Sequence, residues 1–458
     1  MTSSWTPVEP TTWADPSAPW AATGSALGAA APPRRRGAWV LAVLGVVLAA
    51  ALAVGLLGPR VVSTGVGYRM VAGIGAPASG PEATPGANGA APSDRDSLIA
   101  TLLARRGDAV TGDDPAAYAA TQTAHAMTPA FARLAPLPLT LWSYRILTTT
   151  EGTNDATVLL DVRLHLRLDA DTSDAVVHEH LTLQRGAAGW RVAAEVTADR
   201  RAQPWDLGAI TVVHGSRSLV IGIDEPASVL WGYARLADAA VPGVSAVWGT
   251  GWTQRPVLVI PRTTVQLGRA LARSAESLDG YAAVTTGELS DAGGTNSALR
   301  VWTNTPGMNS LSTLGRQVVV KHELTHVATD APGTPGVPLW LEEGFAEYVG
   351  YQGSGVRLSD ELRELLAAER AGDAPQGLPS QATFDGAQVD LAYEAGDLAC
   401  RVAADRYGQQ GLVRLYRLTA AGTGSGGDNL EAALRAVTGS GTASFTLSFR
   451  TRLRALAG

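Results

Sequence analysis

Residues 318–352 read VVVKHELTHVATDAPGTPGVPLWLEEGFAEYVGYQ, and this stretch decides how the rest of the chain is understood. Val318, Val319, Val320 and Val327 give the first segment an apolar body, and the Ala331-Pro332-Gly333 break ends it, as expected of a buried helix. His322 and His326 stand at i and i+4 on that helix, so both imidazoles can face one metal ion, while Glu323, one step round, can reach a metal-bound water. Two imidazoles do not complete a catalytic zinc site, which takes three protein ligands and keeps a fourth position for water. The segment after the break supplies candidates. Pro338 is suited to start a helix, and in it Glu343 and Glu347 again fall at i and i+4 on one face.

HELTH followed by WLEEGFAEY resembles the gluzincin peptidases, the thermolysin-like and M1 aminopeptidase-like group, and most closely their short peptidase MA-like relatives. The resemblance covers residues 205–420 in outline, with its specific motifs confined to 322–351. It implies an α+β zinc peptidase domain in which Zn2+ is held by His322, His326 and Glu343, with Glu342 as the alternative third ligand. Glu323 is then the general base, which takes a proton from zinc-bound water and delivers it to the leaving amine. Relatives often stabilise the oxyanion with a Tyr or His from a later helix. Tyr393, in DLAYEAGDLACRVAADRYG, lies in the corresponding segment, although a core tyrosine would read the same way. Glu347 is a candidate to fix a histidine tautomer from behind the ligands, its other reading being a solvated helix face. One departure concerns length: only 16 residues separate His326 from Glu343, slightly fewer than in thermolysin-like and M1 enzymes, so DAPGTPGVP must turn tightly. No motif of the M1 aminopeptidase strand type precedes His322, which favours an endopeptidase acting on protein or peptide substrates. The competing reading is a catalytically idle binding or scaffold protein of the cell envelope that uses its first folded unit.

Outward from that stretch, the chain divides into five expected parts. Residues 1–37 have the Pro/Ser/Thr/Ala composition of a disordered tail. Ala38–Leu57 is an uncharged run long enough for a transmembrane helix, and Arg34, Arg35 and Arg36 before it predict a cytoplasmic N-terminus, with the remaining domains extracytoplasmic. A single-pass protein of the cell membrane is the resulting expectation. Residues 58–93 read as a flexible linker. Residues 94–200 contain two helices followed by alternating strands at 141–149, 156–168, 175–185 and 189–196, an order similar to that of domains related to nuclear transport factor 2. Residues 205–458 place strands first (209–214, 218–223, 256–260, 298–303, with a helix around 227–240) and helices afterwards, which predicts an α+β peptidase domain with a mostly helical C-terminal half.

A net charge of -6 with no basic stripe excludes nucleic acid as a partner. The single cysteine, Cys400, excludes an intrachain disulfide and reads as a small buried hydrophobe. His178 and His180 alternate onto one face of a strand; with no third donor nearby in sequence, they read as surface residues.

Overall fold

The computed structural model describes residues 94–458, except 153, 199–200, 279–280, 288–297, 335 and 385–388. Helices α1 (Asp94–Thr111) and α2 (Pro115–Ala120) come first, and Asp114 caps α2 by accepting from the Ala116 and Ala117 amides. A five-stranded sheet follows: β1 (Gln122–Met127), β2 (Leu139–Glu151), β3 (Thr157–Leu168), β4 (Ala175–Gly186) and β5 (Gly189–Thr197), in the order β1-β5-β4-β3-β2. The β2–β5 meander is antiparallel and was legible from its alternation. The parallel edge strand β1 was not, because Gln122–Met127 (QTAHAM) has little apolar content to alternate.

The second sheet contains β6 (Ile210–His214), β7 (Leu219–Ile223), β8 (Val257–Pro261), β9 (Ala283–Gly287) and β10 (Leu299–Thr303), in the order β6-β7-β8-β10-β9. Its centre, β7-β8-β10, is parallel and almost wholly buried, whereas both edges are antiparallel. Crossover helix α3 (Ala227–Trp248) joins β7 to β8, and α4 (Thr264–Leu271) follows β8. Then come α5 (Thr313–Thr329), α6 (Leu339–Tyr351), α7 (Arg363–Ala371), α8 (Val389–Ala420, broken at Gly408 with φ 75°), α9 (Gly426–Thr438) and α10 (Thr442–Ala457). The class is α+β, as read from the sequence.

One buried apolar cluster takes Ala109, Trp142 and Leu166 from the first sheet's side and Trp205, Ile221, Leu267 and Trp302 from the second. The Trp142 and Trp205 rings meet at 5.2 Å. Arg300 on β10 reaches Asp171 through two contacts of 2.5 and 2.7 Å, and both side chains are nearly buried. The two sheets therefore share a core, sealed by a charge pair whose desolvation is offset by bidentate geometry.

The membrane expectation is corrected. Among the described residues no helix is long and apolar enough to cross a membrane. Helix α3, though apolar along much of its length, carries Arg235 and Asp238, and Asp238 is engaged by Ser216, Arg217 and Ser218. Helix α8 is charged at nearly every turn. The run 38–57, the tail 1–37 and the linker 58–93 lie outside the described residues. The single-pass placement, with its cytoplasmic and extracytoplasmic sides, finds no spanning helix among the described residues.

Candidate metal centre

Helix α5 is set by its ends. Ser312 accepts from the Gly315 amide at 3.0 Å, and Asp330 closes the other end in the left-handed region, returning its N–H to His326 and Val327. The helix packs between α3, α6 and β9. Lys321 ties it to α6 by donating to the Gln352 carbonyl at 2.6 Å. Helix α6 in turn lies against α8 at a distance that only glycine permits: a Cβ on Gly344 would stand 2.2 Å from the Gly396 carbonyl carbon. That contact explains the glycine inside EEGFAEY. It presses Glu343, Glu347 and Tyr393 toward the two histidines from neighbouring helices.

His322, Glu323, His326, Glu343 and Glu347 are all buried, with at most 4% of any of them exposed. His322 Nε2 and His326 Nε2 lie 3.0 Å apart, and Glu343 Oε2 stands 3.5 Å from the first and 3.2 Å from the second. Donors bonded to one tetrahedral zinc at ~2.0–2.1 Å are separated by ~3.3 Å, so the triangle already has the size of a metal site. Neither oxygen of Glu343 receives a hydrogen bond. A buried carboxylate left in that condition is costly unless a cation supplies the missing partner. These three residues fit a metal ion, and they form a group that can hold one. Glu342, the other glutamate of the pair, is half-buried and is not part of the cluster.

The electrostatics agree with a site shaped for positive charge. Burial disfavours the charged His322, yet Glu343 and Glu347 push the imidazole up to about 10. Burial likewise opposes charge on Glu343, but His326 and His322 hold it down at about 2.

Glu347 Oε1 lies 3.4 Å from His322 Nδ1, on the side away from the ligand triangle, so the solvated-face reading does not hold. Tyr393 is buried with its ring centroid 6.5 Å from that of His322, and its hydroxyl has no hydrogen-bond partner. Burial, followed by Glu343, keeps that hydroxyl protonated far above the usual tyrosine range. One contact at the site was missed from sequence. Thr285, on edge strand β9, donates its hydroxyl to Glu323 Oε2 at 2.6 Å, and Glu323 Oε1 is left without a partner. AVTTG is short and ends in glycine, so only the pairing of Thr285 with Val301 on β10 reveals it as a strand.

No protein-family description matches this chain, and no curated protein matches it by sequence. Among solved structures it is similar to the M1 zinc metallopeptidase of Deinococcus radiodurans, with 15% identity over 69% of this chain and a TM-score of 0.34. It is similar as well to a two-domain M1 zinc metallopeptidase mutant bound to L-arginine, with 13% identity over 69% of this chain and a TM-score of 0.32. A third is a mutant of the Deinococcus radiodurans M1 zinc metallopeptidase bound to a Tyr-Ser-Ala substrate, with 12% identity over 69% of this chain and a TM-score of 0.31. The match spans 61% of each of those chains. At that level of identity and superposition the likeness adds nothing to the geometry of the site.

Proposed function

We propose that this chain is a zinc-dependent metallopeptidase that hydrolyses peptide bonds, with His322, His326 and Glu343 holding the metal and Glu323 acting as general base. The observation that carries the reading is the buried triangle of two imidazole nitrogens and one carboxylate oxygen, 3.0–3.5 Å on a side, with a further carboxylate next to it in the chain. When bound, zinc supplies Lewis acidity that polarises a carbonyl and lowers the pKa of water.

The protein's own groups do the rest. Glu323 keeps one oxygen engaged by Thr285, which fixes the carboxylate plane and leaves Oε1 to accept a proton from water and pass it to the departing nitrogen. Burial pushes Glu323 upward from the ordinary carboxylate value, which suits a base that must also act as an acid. The Tyr393 hydroxyl, kept protonated, is the donor for the oxyanion. Glu347 Oε1 stands 3.4 Å from His322 Nδ1, where a small shift would let it accept that proton and commit Nε2 to the metal. Substrates are proteins or peptides cut at internal bonds; this finer assignment rests on the sequence before His322, which carries no M1 aminopeptidase strand motif.

The test compares wild type and Glu323→Gln for zinc content and for cleavage of unfolded casein and of an aminoacyl chromogenic substrate. Equal zinc content in both proteins, with casein cleavage only in wild type, supports the reading. A wild type without zinc, or equal activities in the two proteins, removes it. Cleavage of the aminoacyl substrate alone retains the peptidase and overturns the endopeptidase assignment.

A further inference from the structure

His178 and His180 stand at i and i+2 on β4, and the carboxylate between them, Glu179, is buried on the opposite face. The sheet supplies a third donor. The β3–β4 register sets Asp161 directly across from His180 and Arg163 across from His178. Because side chains alternate along a strand, all four project from one face. His178 Nε2 contacts Asp161 Oδ1 directly, and His180 Nδ1 lies 3.6 Å from the same oxygen. The two imidazole centroids are 5.5 Å apart. A donor atom from each of the three residues lies within 4.8 Å of the other two, so small rotamer changes close the group to the ~3.3 Å separation that a tetrahedral ion requires.

We propose that Asp161, His178 and His180 form a second metal site, on the outward face of the first sheet, for a divalent transition metal of the zinc class. The donor set decides the ion: two imidazoles with one carboxylate favour zinc, cobalt, nickel or copper over magnesium or calcium, which prefer oxygen. The frame decides the cost. β4 is an inner strand, paired on both sides, and the His178 carbonyl accepts the Ala198 amide at 2.8 Å, so the backbone need not reorganise. The inner face beneath is closed core, with Leu160, Val162 and Leu181 at 2% exposure or less. The ligands are open to solvent, with side-chain exposures of 30% for Asp161, 42% for His178 and 56% for His180. Ions can therefore enter directly, and the remaining coordination positions fall to water. Arg163 opposes a cation from across His178, which makes this the weaker and more exchangeable of the two sites. Binding replaces the His178–Asp161 contact, and any proton held there leaves as the metal enters.

The test is a zinc titration of the untagged full chain, stripped of metal, against a chromophoric chelator. The expected result is two equivalents in wild type, the weaker of which is lost both in the His178→Ala/His180→Ala double variant and in Asp161→Asn. Asp161→Asn preserves shape, so it carries the test if the double variant fails to fold. His322→Ala/His326→Ala should retain the weaker equivalent, which separates this proposal from the helical site. One equivalent in wild type that remains in Asp161→Asn would overturn the proposal, as would a second equivalent that persists in both strand variants. A single equivalent that survives His322→Ala/His326→Ala and disappears in Asp161→Asn supports the strand site and removes the helical one.

Discussion

The molecule holds two histidine pairs of the same design in opposite surroundings. On α5 the pair is spaced i, i+4 by the helical repeat; on β4 it is spaced i, i+2 by the pleat; each meets a carboxylate from the neighbouring element. The helical group is sealed from water, with the Glu323 carboxylate beside it, the Glu347 carboxylate 3.4 Å from His322 Nδ1 and the Tyr393 ring 6.5 Å from that of His322. The strand group stands half in solvent with an arginine across from it. Donor geometry alone therefore separates the two poorly. Burial separates them, because a low-dielectric pocket strengthens every charge in it and makes an unmet carboxylate expensive.

The largest expected effect is confined to the helical group. Glu323→Gln should lower kcat/KM by about 10³ while zinc is retained, in line with what general acid–base catalysis contributes; steady-state assays with metal analysis read both quantities. Glu347→Gln should weaken zinc binding by ~10–100-fold through loss of the acceptor behind His322, and competition titration reads it. If Glu347→Gln leaves the affinity unchanged, burial is not what distinguishes the two clusters. Thr285→Val should reduce kcat about tenfold with KM little changed, since one hydrogen bond to a carboxylate is removed without touching the substrate.

The smallest effect tests the two faces of β4. Glu179, between the two histidines, points inward at 3% exposure, with Oε2 unpartnered. Burial, then Glu195, then Asp206 push it well above the ordinary carboxylate value, against the opposing pull of Arg106, which is itself paired with Glu195 at 2.5 Å. A carboxyl whose folded-state pKa is raised holds its proton better folded than unfolded. Its contribution to stability is complete below the unfolded value of ~4.3 and is lost as pH rises toward the folded value. Glu179→Gln should accordingly raise the melting temperature at pH 7–8 by about 2–4 °C and leave it nearly unchanged at pH 4. A destabilised variant at neutral pH would show that the carboxylate is satisfied in place.

What was legible from sequence follows from range. His322, Glu323 and His326 declare themselves because helical spacing fixes their relation within about one turn, Glu343 came only with the resemblance of WLEEGFAEY to the gluzincin motif, and the β2–β5 alternation declares the first sheet's meander. Asp161 and Thr285 do not. Asp161 reaches His180 through a cross-strand register 19 positions long, and Thr285 reaches Glu323 from an edge strand 38 residues away. Nothing local in HEH or AVTTG encodes either partner. The shared core between the sheets was hidden for the same reason: Trp142 and Trp205 lie far apart in the chain and meet only where the sheets do.

Anomalous diffraction at the zinc edge, from crystals of the untagged protein grown without added metal, reads out whether the helical group holds the ion. A peak is expected at bonding distance from His322 Nε2, His326 Nε2 and a Glu343 oxygen together. The absence of a peak among those three atoms, in crystals where the side chains are ordered, would contradict the proposed zinc site.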